Sequence, residues 1–145
     1  MSRFLTPDEV EAAFYAAFQT LDIALMGAVW AAEEPSPVCV HPGGDLLQGR
    51  GEVLSSWREV LTGAERPELH FRVIQRTATN GLAVHLVEEL IRPSRSREEP
   101  NRILATNVYR QTAEGWRMTA HHASLPLMGK RPAAATPETP KPRMH

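Results

Sequence analysis

The sequence contains one cysteine, almost no net charge and no long apolar run, and each shortage excludes a class of protein. Because Cys39 has no second cysteine to pair with, an internal disulfide is excluded, which suits a reducing compartment. A formal net charge of −1 provides no field that would recruit nucleic acid or an anionic membrane. No segment approaches the roughly 20 apolar residues of a membrane-spanning helix, and the first residues lack the apolar run of a signal peptide. We therefore expect a cytoplasmic protein that partners neither nucleic acid nor a membrane.

The residues that are present suffice for one compact domain. Of the 145 residues, 42% are hydrophobic and 23% are charged, which is ordinary for a globular protein. The composition changes near the C-terminus, where proline and alanine accumulate without periodicity. We predict a domain over residues 1–127 and a disordered tail over residues 128–145.

Three helices are predicted in the first half of the chain. Thr6-Pro7-Asp8-Glu9 combines a capping box with proline at the first helical position, and apolar residues then recur every three or four positions. Asp22 interrupts this stripe, so the segment forms either two helices or one bent helix, and Asp22 could cap the second one. Another apolar stripe predicts a third helix between Gly51 and Gly63.

The second half of the chain is strand-like. A short strand precedes the third helix, and two later hairpins turn at Asn80-Gly81 and at Ala113-Glu114-Gly115, where glycine tolerates the positive φ of a tight turn. Helices followed by an antiparallel meander predict an α+β fold with the helices on one face of a curved sheet. Because three helices cannot cover four strongly twisted strands, the sheet can wrap into a cone with an open mouth. The predicted strands cover residues 38–41, 69–79, 82–91, 105–112 and 116–124.

This order of elements resembles the SnoaL-like branch of the nuclear-transport-factor-2-like (NTF2-like) superfamily. The resemblance covers roughly residues 7–126. It implies three N-terminal helices on a curved, mainly antiparallel sheet that forms a conical pocket, and commonly a homodimer through the other face of the sheet. The superfamily includes isomerases, cyclases, hydrolases, dehydratases and non-catalytic domains, so the resemblance selects no activity. The residues that carry it are Val38 to Gly44, Gly49-Arg50, Trp57, Glu88, Ala105 to Tyr109, and Gly115 to Met118 leading into His121 to Ser124.

Side-chain alternation predicts which strand residues face the helices. On the strand over 82–91, the larger aliphatic residues alternate with smaller ones, and their face includes Glu88, which we therefore predict to point inward. On the last strand, Trp116 shares a face with His122, so His122 is predicted inward and His121 outward or into a dimer interface. Between these strands, Asn107 shares a face with its next-but-one neighbours, and whether that face or the opposite one is inward stays open.

These inward residues predict a small-molecule site with a mostly apolar wall and a few polar groups. We expect it to bind an uncharged, partly apolar molecule of modest size, because no inward cluster of arginine or lysine is evident. A metal centre of His41, Glu88 and His122 would be a two-histidine, one-carboxylate site, but no spacing motif supports it, and we predict no metal or cofactor. The candidate ligand-binding residues are Trp30, His41, Trp57, Asn107, Tyr109 and Trp116.

Glu88 and His122 are the candidate catalytic residues. A carboxylate in an apolar cone has its charged form disfavoured, so its pKa rises toward the operating pH of a general acid or base. This predicts proton transfer of the isomerase, cyclase or dehydratase type. Alternatively, Glu88 and His122 bond to each other or to Asn107 in a satisfied buried cluster. The protein is then a non-catalytic domain for ligand sensing or dimerisation.

Overall fold

The computed structural model describes residues 3–63 and 65–127, which form three helices and six strands. The predicted tail over residues 128–145 lies outside the described residues. No helix within the described ranges is long and apolar enough to cross a membrane. The elements in chain order are α1 Pro7–Thr20, α2 Ile23–Val29, β1 Val38–Val40, β2 Leu46–Gln48, α3 Arg50–Thr62, β3 Pro67–Thr79, β4 Leu82–Pro93, β5 Asn101–Thr112 and β6 Gly115–Ser124.

The first two helices begin directly after residues whose side chains cap them. The Thr6 hydroxyl accepts a hydrogen bond from the Glu9 backbone N–H at 3.1 Å, which caps α1. The helix ends at Thr20, the next residue Leu21 has a left-handed φ of 57°, and the Asp22 carboxylate then accepts a hydrogen bond from the Leu25 backbone N–H at 2.9 Å. The prediction of two helices with Asp22 as the second cap is therefore confirmed.

The strands form one mixed, mostly antiparallel sheet in the order β2-β1-β6-β5-β4-β3. Among the six described strands, β1 and β6 form the one parallel pair. The helices cover one face of this curved sheet, which we call the inner face, and leave the outer face uncovered by helices. The predicted α+β architecture is confirmed, and β2 is a strand that the sequence did not predict.

Two β-bulges decide which side chains reach the inner face. In β6, Tyr109 pairs with Met118 but Val108 pairs with Ala120, so Thr119 is an extra residue. A similar irregularity in β3 lies at Ile74. Because one extra residue reverses the alternation beyond it, Met118 and His121 are both buried on the inner face.

The predicted inward orientations of Glu88 and His122 are therefore wrong. His122 follows the bulge and is exposed on the outer face. On β4 the inner face carries the smaller set, Ala83, His85, Val87 and Glu89, each at most 2% exposed, whereas Leu86 is 38% exposed on the outer face. The physical reason is volume: the helices bring large aromatic side chains onto the inner face, so the sheet supplies small or hydrogen-bonding partners there.

Candidate functional site

Glu88 and His122 do not form the predicted pair. The Glu88 carboxylate accepts a hydrogen bond from Arg102 Nε at 2.7 Å and lies 3.4 Å from Arg72 Nη2. The bond from Arg102 and the charge of Arg72 hold the pKa of Glu88 below its usual value. Glu88 is therefore an ionised surface carboxylate engaged by two arginines, which is the opposite of the environment that an acid–base catalyst needs.

Trp57, one of the six candidate ligand-binding residues, contacts two histidine rings: that of His41, which is also a candidate, and that of His121, which is not. Its ring lies 4.7 Å from that of His41 and 5.9 Å from that of His121 between centroids. His41 Nε2 lies 2.9 Å from the Ser56 hydroxyl, and burial lowers the pKa of His41. The side chains of Trp30, Trp57, Asn107 and Tyr109 are fully buried, and His41 is half-buried.

Trp116 lies apart from the other candidates. It is on the inner face as predicted, half-buried against the edge of the core, where its backbone N–H donates to the Phe4 carbonyl at 2.8 Å. No hydrogen bond or ring contact joins its side chain to the other five within the described part of the chain.

Four buried polar side chains on the inner face form a chain of hydrogen bonds that we call the Glu89 network. Tyr15 on α1 donates its hydroxyl hydrogen to Glu89 Oε2 at 2.6 Å. Asn107 Nδ2 donates to the Tyr15 oxygen at 2.9 Å. His121 Nδ1 lies 2.6 Å from Asn107 Oδ1, and because an amide oxygen only accepts, His121 carries the proton there. Each donor thus points toward Glu89, the acceptor at the end of the chain.

A second network lies beside the first, one helical turn along α1. Glu11 Oε2 lies 2.7 Å from His85 Nδ1 and accepts a hydrogen bond from the Tyr109 hydroxyl at 3.2 Å. Glu11 and Tyr15, four residues apart, lie on one face of α1, and His85 and Glu89, also four residues apart, lie on one face of β4. Both pairs of side chains therefore meet across the same interface between α1 and β4.

Burial sets the protonation of the Glu89 network. It raises the pKa of Glu89 to about 7, against the opposing hydrogen bond from Tyr15. Burial, with smaller contributions from the nearby His41 and His122, lowers the pKa of His121 to about 3. Burial also raises the pKa of Tyr15 well above 10.0. At neutral pH, His121 and Tyr15 are therefore neutral donors, and Glu89 is the group that can exchange a proton.

One group of side chains has a geometry that a metal ion could use. Single ligand atoms of Asp8, Glu11 and His85 lie within 4.8 Å of one another. However, Arg76 Nε lies 3.0 Å from the Asp8 carboxylate, and Glu11 is already bonded to His85 and Tyr109. These residues satisfy one another, and the arginine places a positive charge where a cation would bind.

The sequence interpretation missed five residues of these networks: Glu11, Tyr15, His85, Glu89 and His121. A signal existed in α1, where Glu11 and Tyr15 stand four residues apart directly beside the apolar stripe. No local signal marks the bulge at Thr119, which places His121 inward instead of His122.

The comparisons with known proteins agree with this fold. The profile of the SnoaL-like domain family matches residues 8–128. One similar structure is a candidate calcium/calmodulin-dependent protein kinase type II association domain from Thiobacillus denitrificans. It is 37% identical with a TM-score of 0.80, and the alignment covers 86% of this chain and 98% of that chain.

A second similar structure is a candidate dehydratase of the NTF2-like family from Streptomyces avermitilis. It is 30% identical with a TM-score of 0.75, over 84% of this chain and 99% of that chain. A ketosteroid isomerase-like protein from Erwinia carotovora atroseptica is 15% identical with a TM-score of 0.66, over 81% and 92%, which shows a shared fold alone. No curated protein matches this sequence.

Proposed function

This chain belongs to the SnoaL-like domain family, and on that premise we propose that it binds a small, partly apolar molecule at Glu89 and transfers a proton there. One observation carries the proposal. Glu89 is a carboxyl group that is 1% exposed on the inner face, and the Tyr15 hydroxyl donates to it at 2.6 Å. The proposed location of the protein is the cytoplasm.

Glu89 has the acidity of a general acid–base catalyst. Because its pKa is about 7, both the carboxylate and the carboxylic acid are populated at neutral pH. The carboxylate removes a proton from a ligand atom, and the resulting acid returns the proton to another atom. Tyr15 stabilises the carboxylate form, and Asn107 holds Tyr15 in position. Isomerisation and dehydration both use such a transfer.

Phe71 marks the proposed route to Glu89. It pairs with Glu89 across β3 and β4, its ring stacks on that of Tyr15 at 4.3 Å, and it is 38% exposed. The neighbouring inner-face residues Ile91 and Ile103 are apolar. A ligand that displaces the Phe71 ring from Tyr15 would contact apolar side chains and the carboxyl group together.

The candidate dehydratase supports a reaction of this class, since it is 30% identical to this chain over 99% of its own length. The direct test is Glu89→Gln, which keeps an acceptor for Tyr15 but removes the proton-exchanging group. The assay follows deuterium incorporation by NMR in a panel of β,γ-unsaturated ketones and β-hydroxy ketones in D2O.

We expect wild-type exchange that Glu89→Gln reduces by at least about 100-fold, the usual size of an acid–base contribution. Glu88→Gln is the matched control, because it changes the adjacent glutamate on the outer face, and it should retain activity. The proposal fails if the wild type exchanges none of the compounds above the buffer rate, or if Glu89→Gln exchanges as fast as the wild type.

A second candidate function is that of a non-catalytic association domain, which the outer face of the sheet favours. Leu82 and Leu86 are 40% and 38% exposed there, and Val84, Val108 and Ala120 lie half-buried beside them. We propose that this outer patch joins two copies of the chain in a homodimer. The 37%-identical structure named an association domain agrees with such a role.

Native mass spectrometry and light scattering test the dimer. We expect Leu86→Arg to convert a dimer to a monomer, because an unpaired charge would be buried in the interface. Leu5→Arg is the control, since Leu5 is 68% exposed at the start of α1, away from the outer patch. A monomeric wild type, or a Leu86→Arg variant that stays dimeric, would contradict this proposal.

A further inference from the structure

A cavity of about 560 Å³ lies between α2, the start of α3 and the β5–β6 hairpin. Its volume falls within the range of small-molecule sites, roughly 300–1,000 Å³. It contains none of the residues of the Glu89 network or of the second network. The space exists because α2 presents small residues to it, including Ala24, Gly27 and Ala28, and a Cβ atom at Gly27 would meet nothing within 4 Å.

The guanidinium of Arg50 is held in a fixed orientation at one end of this cavity. Its Nη1 donates to the Trp30 carbonyl at 2.7 Å and its Nη2 to the Gly27 carbonyl at 2.9 Å, both at the end of α2. Among the described residues, no carboxylate lies within 4.0 Å of Arg50. Because a guanidinium has five N–H donors, others remain available for a ligand.

Arg117 brings a second positive charge to the same cavity from β6. It is 5% exposed, its Nη1 donates to the Trp116 carbonyl at 2.8 Å, and its guanidinium lies over the Phe4 ring at 5.2 Å. Burial lowers the pKa of Arg117, the charge of Glu114 raises it, and the charges of Arg50 and Arg3 lower it to a smaller extent. Both arginines line the cavity, so a carboxylate bound inside it would be attracted by two positive charges.

Trp30 at the end of α2 is an aromatic residue of the cavity lining. It is 1% exposed, so its indole ring is close to the cavity and reports on a molecule bound there.

The carboxylates that line the cavity limit the charge of its ligand. Asp22, Glu33 and Glu114 are all exposed, whereas Arg117 is buried and Arg50 is half-buried. Exposed charges are screened by solvent and salt, which weakens the three carboxylates relative to the two arginines. The carboxylates still repel polyanions at the entrance. This arrangement favours one negative charge on the ligand.

We propose that this cavity binds a small organic monoanion. The carboxylate of the ligand contacts Arg50 and Arg117, and its flat apolar body packs against Trp30 and the small residues of α2. The site is separate from the one at Glu89, and its ligand differs from the uncharged molecule that the sequence predicts. It does not depend on any catalysis at Glu89.

Calorimetric titration with three carboxylates tests the proposal: indole-3-acetate, benzoate and cyclohexanecarboxylate. Indole-3-acetamide is the matched neutral probe, and we expect it to bind at least about tenfold more weakly than indole-3-acetate. The indole N–H signal of Trp30, assigned with Trp30→Phe, should shift in the NMR spectrum when the acid is added.

Two variants locate the site without depending on a loss of folding. Gly27→Leu places a side chain in the open space and improves the helix propensity of α2, so it should fold at least as stably as wild type and bind at least about tenfold more weakly. Arg50→Gln should weaken binding similarly. The control Arg66→Gln removes an exposed charge outside the cavity, and Glu89→Gln removes the other site, and both should bind as wild type does.

Three results would overturn the proposal. The first is that none of the three carboxylates binds below about 10 mM, the level of a very weak ligand. The second is that the acid and the amide bind equally well. The third is that Gly27→Leu binds the acid as tightly as wild type.

Discussion

Glu88 and Glu89 are adjacent in the chain but lie in opposite environments. Glu88 faces outward between two arginines, which lower the pKa of its carboxyl group. Glu89 faces the helices, where burial raises its pKa to about 7 and Tyr15 is its hydrogen-bond partner. Because both residues are glutamate, the difference shows that the face of the strand on which a residue lies determines the pKa of its carboxyl group.

The largest expected effect on stability is on the inner face, at Asn107. Asn107→Leu would leave the Tyr15 oxygen and His121 Nδ1 buried without their partner. The orphaned His121 donor costs ~3 kcal/mol, and the lost bond to Tyr15, which still donates to Glu89, costs ~1 kcal/mol, so we expect a loss of about 4 kcal/mol in the free energy of unfolding. Urea denaturation measures it. The outer-face control Thr106→Val should change stability by less than about 0.5 kcal/mol, and equal losses in both variants would remove the distinction between the two faces.

The next effect is a pH dependence that Glu89→Gln should abolish. A carboxyl group with a folded pKa of about 7 and an ordinary value of 4.5 stabilises the fold fully below 4.5. That stability is lost as the pH rises through 7, because the unfolded chain releases the proton first. We expect wild type to lose about 3 kcal/mol relative to Glu89→Gln between pH 4.5 and 8. Parallel stability curves for the two proteins would contradict this expectation.

His121 adds a pH dependence of the opposite sign. Its pKa of about 3 lies below the ordinary 6.5, so its contribution is present above pH 6.5 and is lost as the pH falls toward 3. In wild type the two contributions oppose each other between pH 4.5 and 6.5. Glu89→Gln should therefore become less stable as the pH falls through this window, which the same denaturation series measures.

The smallest effect is expected on the outer side, at Glu88. Glu88→Gln removes two ion pairs that are partly open to solvent, so we expect a loss of about 0.5 kcal/mol at neutral pH. Because the pKa of Glu88 is lowered, this stability should disappear as the pH falls below 4.5, and salt should weaken it. Denaturation at low and high salt checks both points. A loss as large as that of Asn107→Leu would mean that the outer face is as sensitive as the inner one.

The sequence was sufficient where a local residue determines local structure. The capping residues before α1 and α2 define both helix starts, and the turns at Asn80-Gly81 and before Trp116 define both hairpins. The order and the type of these elements then predicted the architecture, because helices followed by antiparallel strands have few ways to bury their apolar faces.

The site was less predictable because it depends on distant parts of the chain. The choice of the Glu88 face followed the larger aliphatic residues of β4, but the aromatic side chains of α1 and α3 occupy the inner face and leave room for Ala83 and Val87 there. At His121 the reason is the bulge at Thr119, which arises from pairing with β5. Each predicted catalytic residue is therefore one position away from the residue that faces inward. That residue is Glu89 instead of Glu88, and His121 instead of His122.

The titration of the Glu89 side chain tests the central claim most directly. Carbon-13 NMR of the glutamate carboxyl groups, assigned with Glu88→Gln and Glu89→Gln, would follow both neighbours in one experiment. The predicted result is a midpoint of about 7 for Glu89 and a midpoint below 4.5 for Glu88. If Glu89 instead titrates together with Glu88 and the exposed glutamates, it is not a buried proton-exchanging group, and the proposed proton transfer is contradicted.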